Sequence, residues 1–290
     1  MSQYIKKFSK YLAQSERSPA TIKNYVMDLN IFSKWFVSTN GDELTPIKIT
    51  ATDLREYKQF LIHQESLKPS TVNRKLATIK SFLDWAEQVG YISNRFSMPK
   101  LLKETKCGPK WLNRREQNQL LRIVERSGNI RDIVIVKLLL NTGLRVQEVC
   151  NLKWHDVVIS DRKGKLIVNQ GKGNKRREIP LNKDARDALL EFGYAKLAGQ
   201  ENFIFNGQRG SLTPRGIQFM LKKYAAIANM DTISPHNLRH SFCKNLINAG
   251  IGIETVAVMA GHDSLETTRR YCEPSMLDLQ KAVELIGELE

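Results

Sequence analysis

Ser234-Pro235-His236-Asn237-Leu238-Arg239-His240 opens the stretch on which the reading of this chain turns, and Thr267-Thr268-Arg269-Arg270-Tyr271 closes it, with Gly261-His262 between. Ser234 before Pro235 is a helix start: a capping hydroxyl, then a proline whose missing N–H is not needed in the first turn. Helical patterning resumes over 253–260 and 264–271. A guanidinium grips a phosphate through two parallel hydrogen bonds. An imidazole exchanges a proton near neutral pH, and a phenol can serve as a covalent nucleophile. Side chains of these kinds in one short stretch are the parts for attacking a phosphodiester without a metal.

Working upstream, Ile133-Val134-Ile135-Val136-Lys137-Leu138-Leu139-Leu140 would suit a buried strand by composition. It runs on towards Gly143 without a turn signal, so it reads as a helix over 132–141. Thr142-Gly143-Leu144-Arg145-Val146-Gln147-Glu148 follows, with Gly143 breaking the run and Glu148 one helical turn after Arg145. Val157-Val158-Ile159, Leu166-Ile167-Val168 and Arg176-Arg177-Glu178-Ile179-Pro180 are short strand-like runs separated by turns. They predict a small antiparallel sheet, with Gly171-Lys172-Gly173-Asn174-Lys175 in its second turn. Helices are predicted over 113–124, 182–197, 213–228 and 235–249.

The pattern His236-x-x-Arg239, then Gly261-His262, then Tyr271 resembles the catalytic end of the tyrosine recombinases, the family of phage integrases and Xer-type recombinases. Thr142-Gly143-Leu144-Arg145-x-x-Glu148 is similar to that family's first catalytic-arginine motif. The resemblance implies a catalytic set of Arg145, Lys172, His236, Arg239, His262 and Tyr271. Arg145 and Arg239 would clamp the scissile phosphate, where preorganised donors are worth about 3–4 kcal/mol each in the transition state. Lys172, in the turn of the sheet, would protonate the leaving 5′ oxygen. His236 would take the tyrosine proton or hold the phosphate, and His262 would donate to a non-bridging oxygen. Tyr271 would attack, its ionisation favoured by the arginines around it. Glu148 would orient Arg145, while Lys175, Arg176 and Arg177 would contact DNA phosphates.

His236 and His240 are spaced like a zinc pair, but Arg239 lies between them and no glutamate base accompanies them. His240 is therefore read as a packed helix residue, and no metal or other cofactor is expected.

The 290 residues carry a net charge of +15, which favours a polyanionic partner. Residues 106–272 hold 28 Lys and Arg against 15 Asp and Glu, so the surplus lies with the motif residues. Ahead of them, helices are predicted over 2–14, from Ser18-Pro19, over 50–64 and from Pro69 to near Gly90. This helical bundle resembles the SAM-like core-binding domain of the same family through Ser18, Thr21, Tyr25, Arg74, Phe82 and Trp85. The fold class is thus mainly α with a small antiparallel β-sheet, a two-domain DNA clamp. Its expected parts are a DNA-binding domain over 1–96, a basic linker over 97–110, a catalytic domain over 111–274 and a terminal helix within 275–290. Lys100, Lys103 and Lys106 of the linker would lie along DNA.

The last 18 residues hold 1 basic against 5 acidic residues, and Leu279, Ala282, Val283, Ile286 and Leu289 form one stripe. That segment is expected to dock on a neighbouring subunit. The implied assembly is a homotetramer on a double-stranded recombination site, a dimer per site, with accessory proteins or a partner recombinase as optional additions. Four dispersed cysteines suggest reduced thiols. No apolar run approaches a bilayer span, so a cytoplasmic protein without a membrane partner is expected.

The resemblance implies a site-specific recombinase that works through a 3′-phosphotyrosyl intermediate and a Holliday junction. The compact size is closer to Xer-type or transposon cointegrate-resolving recombinases than to large phage integrases. The competing readings are a type IB topoisomerase, which shares the chemistry, and a DNA-binding regulator with a vestigial site. A metal-dependent nuclease lacks the acidic cluster it needs.

Overall fold

Proline and short polar residues set the helix starts of this chain, and apolar stripes set how the helices pack. A computed structural model describes residues 2–93, 97–104, 108–169, 176–207, 210–272, 280, 283 and 284. The chain divides into Met1–Lys106 and Cys107–Glu290.

The first unit is built from α1 (Gln3–Gln14), α2 (Pro19–Asn40), α3 (Ala51–His63) and α4 (Pro69–Gln88). Ser18 caps α2, and Thr50 and Asp53 close a reciprocal capping box on α3. Phe8, Leu29, Phe32, Tyr57, Leu76, Ile79 and Phe82 form the core between them. A buried carboxylate, Asp28 of α2, is met by Arg74, by Lys75 Nζ at 3.1 Å and by the Thr78 hydroxyl at 3.3 Å, all from α4. This pairing offsets the desolvation of the charge and fixes the register of α2 against α4.

The segment expected to be a basic linker is tied down where it is described. Asn73 brackets Leu102 with two bonds of 2.9 Å, and Lys58 Nζ donates to the Lys100 carbonyl at 2.7 Å. Met98 and Leu102 pack on the first core. Apolar side chains and a satisfied backbone hold residues 97–104 on this unit, while Lys100 and Lys103 stay exposed. Lys106 lies outside the described residues.

The second unit begins with α5 (Arg114–Arg126), capped by Asn113 and Glu116, and α6 (Ile130–Thr142). α6 is apolar on nearly every side because it runs through the middle of the core; Ile135, Leu138 and Leu139 are fully buried. α7 (Val146–Asn151) follows, then a single 3-10 turn at Trp154–Asp156. The sheet is β1 (Val157–Ile159), β2 (Gly164–Asn169) and β3 (Arg176–Pro180), antiparallel in that order, with Leu166 opposite both Val157 and Ile179.

The helix predicted over 182–197 is two pieces, α8 (Lys183–Glu191) and α9 (Tyr194–Leu197). Gly193, at φ +118°, interrupts it in a backbone region that side-chain-bearing residues avoid. A two-residue hairpin that the sequence did not announce, β4 (Asn206–Gly207) with β5 (Gly210–Ser211), precedes α10 (Pro214–Ile227). Then come α11 (Pro235–Asn248), α12 (Ile253–Ala260) and α13 (Leu265–Arg269). Tyr271 lies just past α13 and not within it. Of the expected terminal helix only Gln280, Val283 and Glu284 are described, and they are helical.

Candidate active site

The site gathers where α6 ends, α7 begins and α11 starts. α6 stops at Gly143, whose φ is +62° and whose absent Cβ would stand 2.3 Å from the Phe242 ring. Glycine is required there on both counts. The freed Gly143 carbonyl accepts from Arg239 on α11, a residue only 4% exposed. Two residues later Arg145 caps α7. Glu148, three residues on, accepts the Arg145 backbone N–H at 2.7 Å and Arg145 Nη1 at 3.0 Å. The other Arg145 amine donates to the carbonyl of Gly261, the residue that ends α12.

Glu148 is shared. Arg177 of β3 donates to both of its oxygens, at 2.9 and 2.8 Å, and its Nε donates to the Met259 carbonyl at 3.2 Å. Gly261 leaves room for this: a Cβ there would meet the Arg177 guanidinium at 2.8 Å. The sequence reading placed Arg177 on DNA, but its side chain is turned inward and is 9% exposed. Strand alternation is the reason, since Arg177 shares a face with buried Ile179 while Arg176 and Glu178 point outward. Burial would raise the Glu148 pKa, but the Arg177 and Arg145 bonds and charges outweigh it and hold the carboxyl below its usual range.

Tyr271 sits against four side chains beside this cluster. Its hydroxyl lies 2.5 Å from His240 Nδ1, and its ring is parallel to that of His262 at 6.1 Å between centres. Cys243 and Phe242 complete its apolar bed. His262 is itself fixed by a 2.8 Å bond between Nδ1 and the Thr268 hydroxyl. His236, near the start of α11, is solvent-exposed, with its ring centre 6.3 Å from that of His240.

Burial, then the Arg239 and Arg145 charges, lower the His262 pKa to about 4. His240 falls to about 4 through burial, His236 and Arg239, and His236 is lowered by partial burial, then by Arg239 and Arg145. All three imidazoles are therefore neutral at neutral pH and able to accept a proton. Burial and Arg145 bring Arg239 down to about 10, still a cation at pH 7.

Two expectations change here. The arginines were expected to favour the Tyr271 phenolate. Arg239 does pull that way, but the residue is 2% exposed, and burial, then Cys243, raises its pKa overall. His240, expected only to pack, is the imidazole at the phenol. The sequence held the signal, because positions 236, 240 and 244 fall on one stripe of α11.

Arg176 is exposed and pairs with Glu178 at 3.4 Å. Lys172 and Lys175 lie outside the described residues. Among the described residues no group of three or more His, Cys, Asp or Glu could hold a metal ion, and no helix is long and apolar enough to cross a membrane.

The arrangement is a set of anchored guanidiniums beside a phenol and neutral imidazoles, suited to phosphodiester chemistry. The profile of the phage integrase family matches residues 110–277, and that of the phage integrase N-terminal SAM-like domain matches residues 5–90. The chain is 34% identical over 281 residues to the tyrosine recombinase XerC of Staphylococcus epidermidis, covering 93% of each. It is 27% identical over 289 residues to the TnP I resolvase of Bacillus thuringiensis, covering 97% of this chain and 99% of that one. Its fold is similar to that of the XerH site-specific recombinase bound to a palindromic difH substrate, with a TM-score of 0.76 at 20% identity, covering 98% of this chain and 84% of that one.

Proposed function

The chain belongs to the phage integrase family of tyrosine recombinases and is a site-specific recombinase; from that premise we propose how its residues break and rejoin a DNA strand. Arg145 and Arg239 take the two non-bridging oxygens of the scissile phosphate. Each guanidinium is already held by a carbonyl, Gly261 for one and Gly143 for the other, so little reorganisation accompanies the reaction. Glu148 orients Arg145, and Arg177 keeps Glu148 in place. His236, exposed at the start of α11, and His262 add donors to the phosphate.

Tyr271 moves out of its bed and its Oη attacks phosphorus, forming a 3′-phosphotyrosyl ester as the bond to the 5′ oxygen breaks. The phenol proton passes to the imidazole of His240, and Lys172 supplies a proton to the leaving oxygen. The ester retains the energy of the diester, so a 5′ hydroxyl from a partner strand reverses the step without a nucleotide cofactor. Four protomers, a dimer on each of two DNA sites, carry the exchange through a Holliday junction. Lys100, Lys103, Lys106, Lys175 and Arg176 contact DNA phosphates, and the acidic terminal segment bridges neighbouring protomers. The cytoplasm of a prokaryotic cell is the setting that suits this DNA-directed chemistry.

The observation that carries this reading is a phenol hydrogen-bonded to a neutral imidazole beside two carbonyl-anchored guanidiniums. The test is covalent trapping in EDTA. A binding site is selected from a random pool, nicked next to the crossover and mixed with the wild type or with Tyr271→Phe. A protein–DNA band on denaturing gels with the wild type alone is the expected result. Retarded DNA with no covalent band, or cleavage that requires an added divalent ion, overturns the mechanism.

A further inference from the structure

Lys244 lies one turn beyond His240 on α11 and is 5% exposed. Its ammonium donates to the carbonyl of Tyr271 at 3.1 Å and stands 5.2 Å from the centre of the Trp111 ring. Residues 110–112 run along the same helix. Asn237 Nδ2 donates to the Lys110 carbonyl at 2.9 Å, and the Leu112 N–H donates to Ser241 Oγ at 2.8 Å. One buried cation therefore joins the segment near the start of the second unit to the backbone of Tyr271.

Burying an ammonium is unfavourable unless its charge and donors are met. Here a carbonyl and an aromatic face help to meet them. Packing alone does not call for a charge at this position, since methionine fills a similar volume. His240 holds the opposite polar end of the same residue, the hydroxyl. Tyr271 is thus held at both ends by side chains one helical turn apart.

We propose that Lys244 is a positioning residue for recombination: it holds Tyr271 in its buried place and lets go when the 110–112 segment carries Trp111 away. The proposal rests on the recombinase reading above. Residues 110–112 follow closely on the boundary between the two units in sequence, so a change in that segment reaches Tyr271 through Lys244.

The test uses the full chain. Lys244→Met keeps the stem on Trp111 and removes the donor, whereas Lys244→Arg keeps charge and donors. The Tyr271 and Cys272 amides donate to the Thr268 and Arg269 carbonyls, so their hydrogen exchange reports the hold without DNA. Exchange at both is expected to be about tenfold faster in Lys244→Met, the effect of one charge-assisted bond, and near wild type in Lys244→Arg. Single-turnover covalent capture on saturating nicked DNA is expected to rise several-fold in Lys244→Met at unchanged DNA affinity. Trp111→Leu should act in the same direction and add nothing in the double variant.

Unchanged exchange at the two amides overturns the proposal, as does acceleration that spreads through α5 and α6. Faster local exchange with equal or slower capture removes the release role. A failure of every variant, wild type included, to form the covalent complex speaks against the recombinase reading, and the exchange result still decides whether Lys244 holds Tyr271.

Discussion

Replacing Glu148 with glutamine tests the site where its charges are most concentrated. The carboxylate accepts from the Arg145 N–H and Nη1 and from Arg177 Nη1 and Nη2, all within 2.7–3.0 Å. The Glu148 side chain is 12% exposed and that of Arg177 less. Glutamine keeps one oxygen but turns an amine towards guanidinium donors and removes the charge that offsets them. Breaking a buried pair costs about 3–5 kcal/mol, and the retained oxygen puts this case near the lower end, ~3 kcal/mol. The second unit contains Trp111 and Trp154, the first Trp35 and Trp85. With Trp35 and Trp85 replaced by phenylalanine, urea unfolding followed by fluorescence reports the second unit alone.

The pH dependence fixes the sign. The folded pKa of Glu148 is depressed, so its contribution is fully present above the unfolded value near 4.3. It is lost as pH falls through the lower folded value. The gap between wild type and Glu148→Gln should be constant from pH 5 to 8 and shrink below about pH 4. Single-turnover cleavage should fall at least tenfold as Arg145 loses its orienting partner. A gap under ~0.5 kcal/mol at pH 7, or one that begins to shrink above pH 5, would refute the reasoning, the second because burial would then outweigh the arginines.

Gly143→Ala forces a positive φ on a side-chain-bearing residue and drives its Cβ into the Phe242 ring. The second unit should lose about 2–4 kcal/mol, read from the urea midpoint. The pKa values of His240 and His262 are depressed to about 4, so both stay neutral in the fold while the unfolded chain binds protons below about pH 6.5. Their contribution to stability is therefore full above that pH and lost as pH falls towards 4; His240→Asn should lessen the loss between pH 7 and 5 by ~1 kcal/mol in the same assay. Imidazole titration by NMR in Tyr271→Phe should show the His236 and His262 pKa values rising on DNA binding, because the phosphate offsets the Arg145 and Arg239 charges that lower them. Values that stay put would argue that the phosphate does not enter this cluster.

Much of the fold is written in local signals. Ser18-Pro19, Thr50 with Asp53, and Asn113 with Glu116 announce their helices through capping chemistry that needs no tertiary context. Gly143 announces the end of α6 in the same way. The break at Gly193 was harder to see, because residues 182–197 have no other punctuation and a lone glycine is tolerated in helices. The chemistry-bearing types at 145, 236, 239, 262 and 271 were legible from spacing, but their partners depend on which way each side chain turns. Arg177 beside Arg176 looks like one more surface cation until the alternation from Ile179 is followed back along β3. Lys244 shares the stripe of His236 and His240, but its partners could not be read locally: they are a carbonyl 27 residues away and the Trp111 ring.

The proposed nucleophile, buried in its bed, and the proposed anion clamp pose one electrostatic problem. In its bed Tyr271 is a poorer acid than a free phenol, since burial outweighs the pull of Arg239. Moving out towards the clamp relieves the burial, but a phosphate bound there offsets the arginine charges that would have stabilised a phenolate. The phenol cannot ionise ahead of attack in either place, so its proton must leave during the attack, to a base that is ready at that moment. The same bound phosphate supplies that readiness. Burial first, and the neighbouring arginine charges after it, hold His236, His240 and His262 below their usual range. Offsetting those charges with a phosphodiester raises the imidazoles towards a useful basicity. The clamp thus ties part of the imidazoles' basicity to the arrival of a strand.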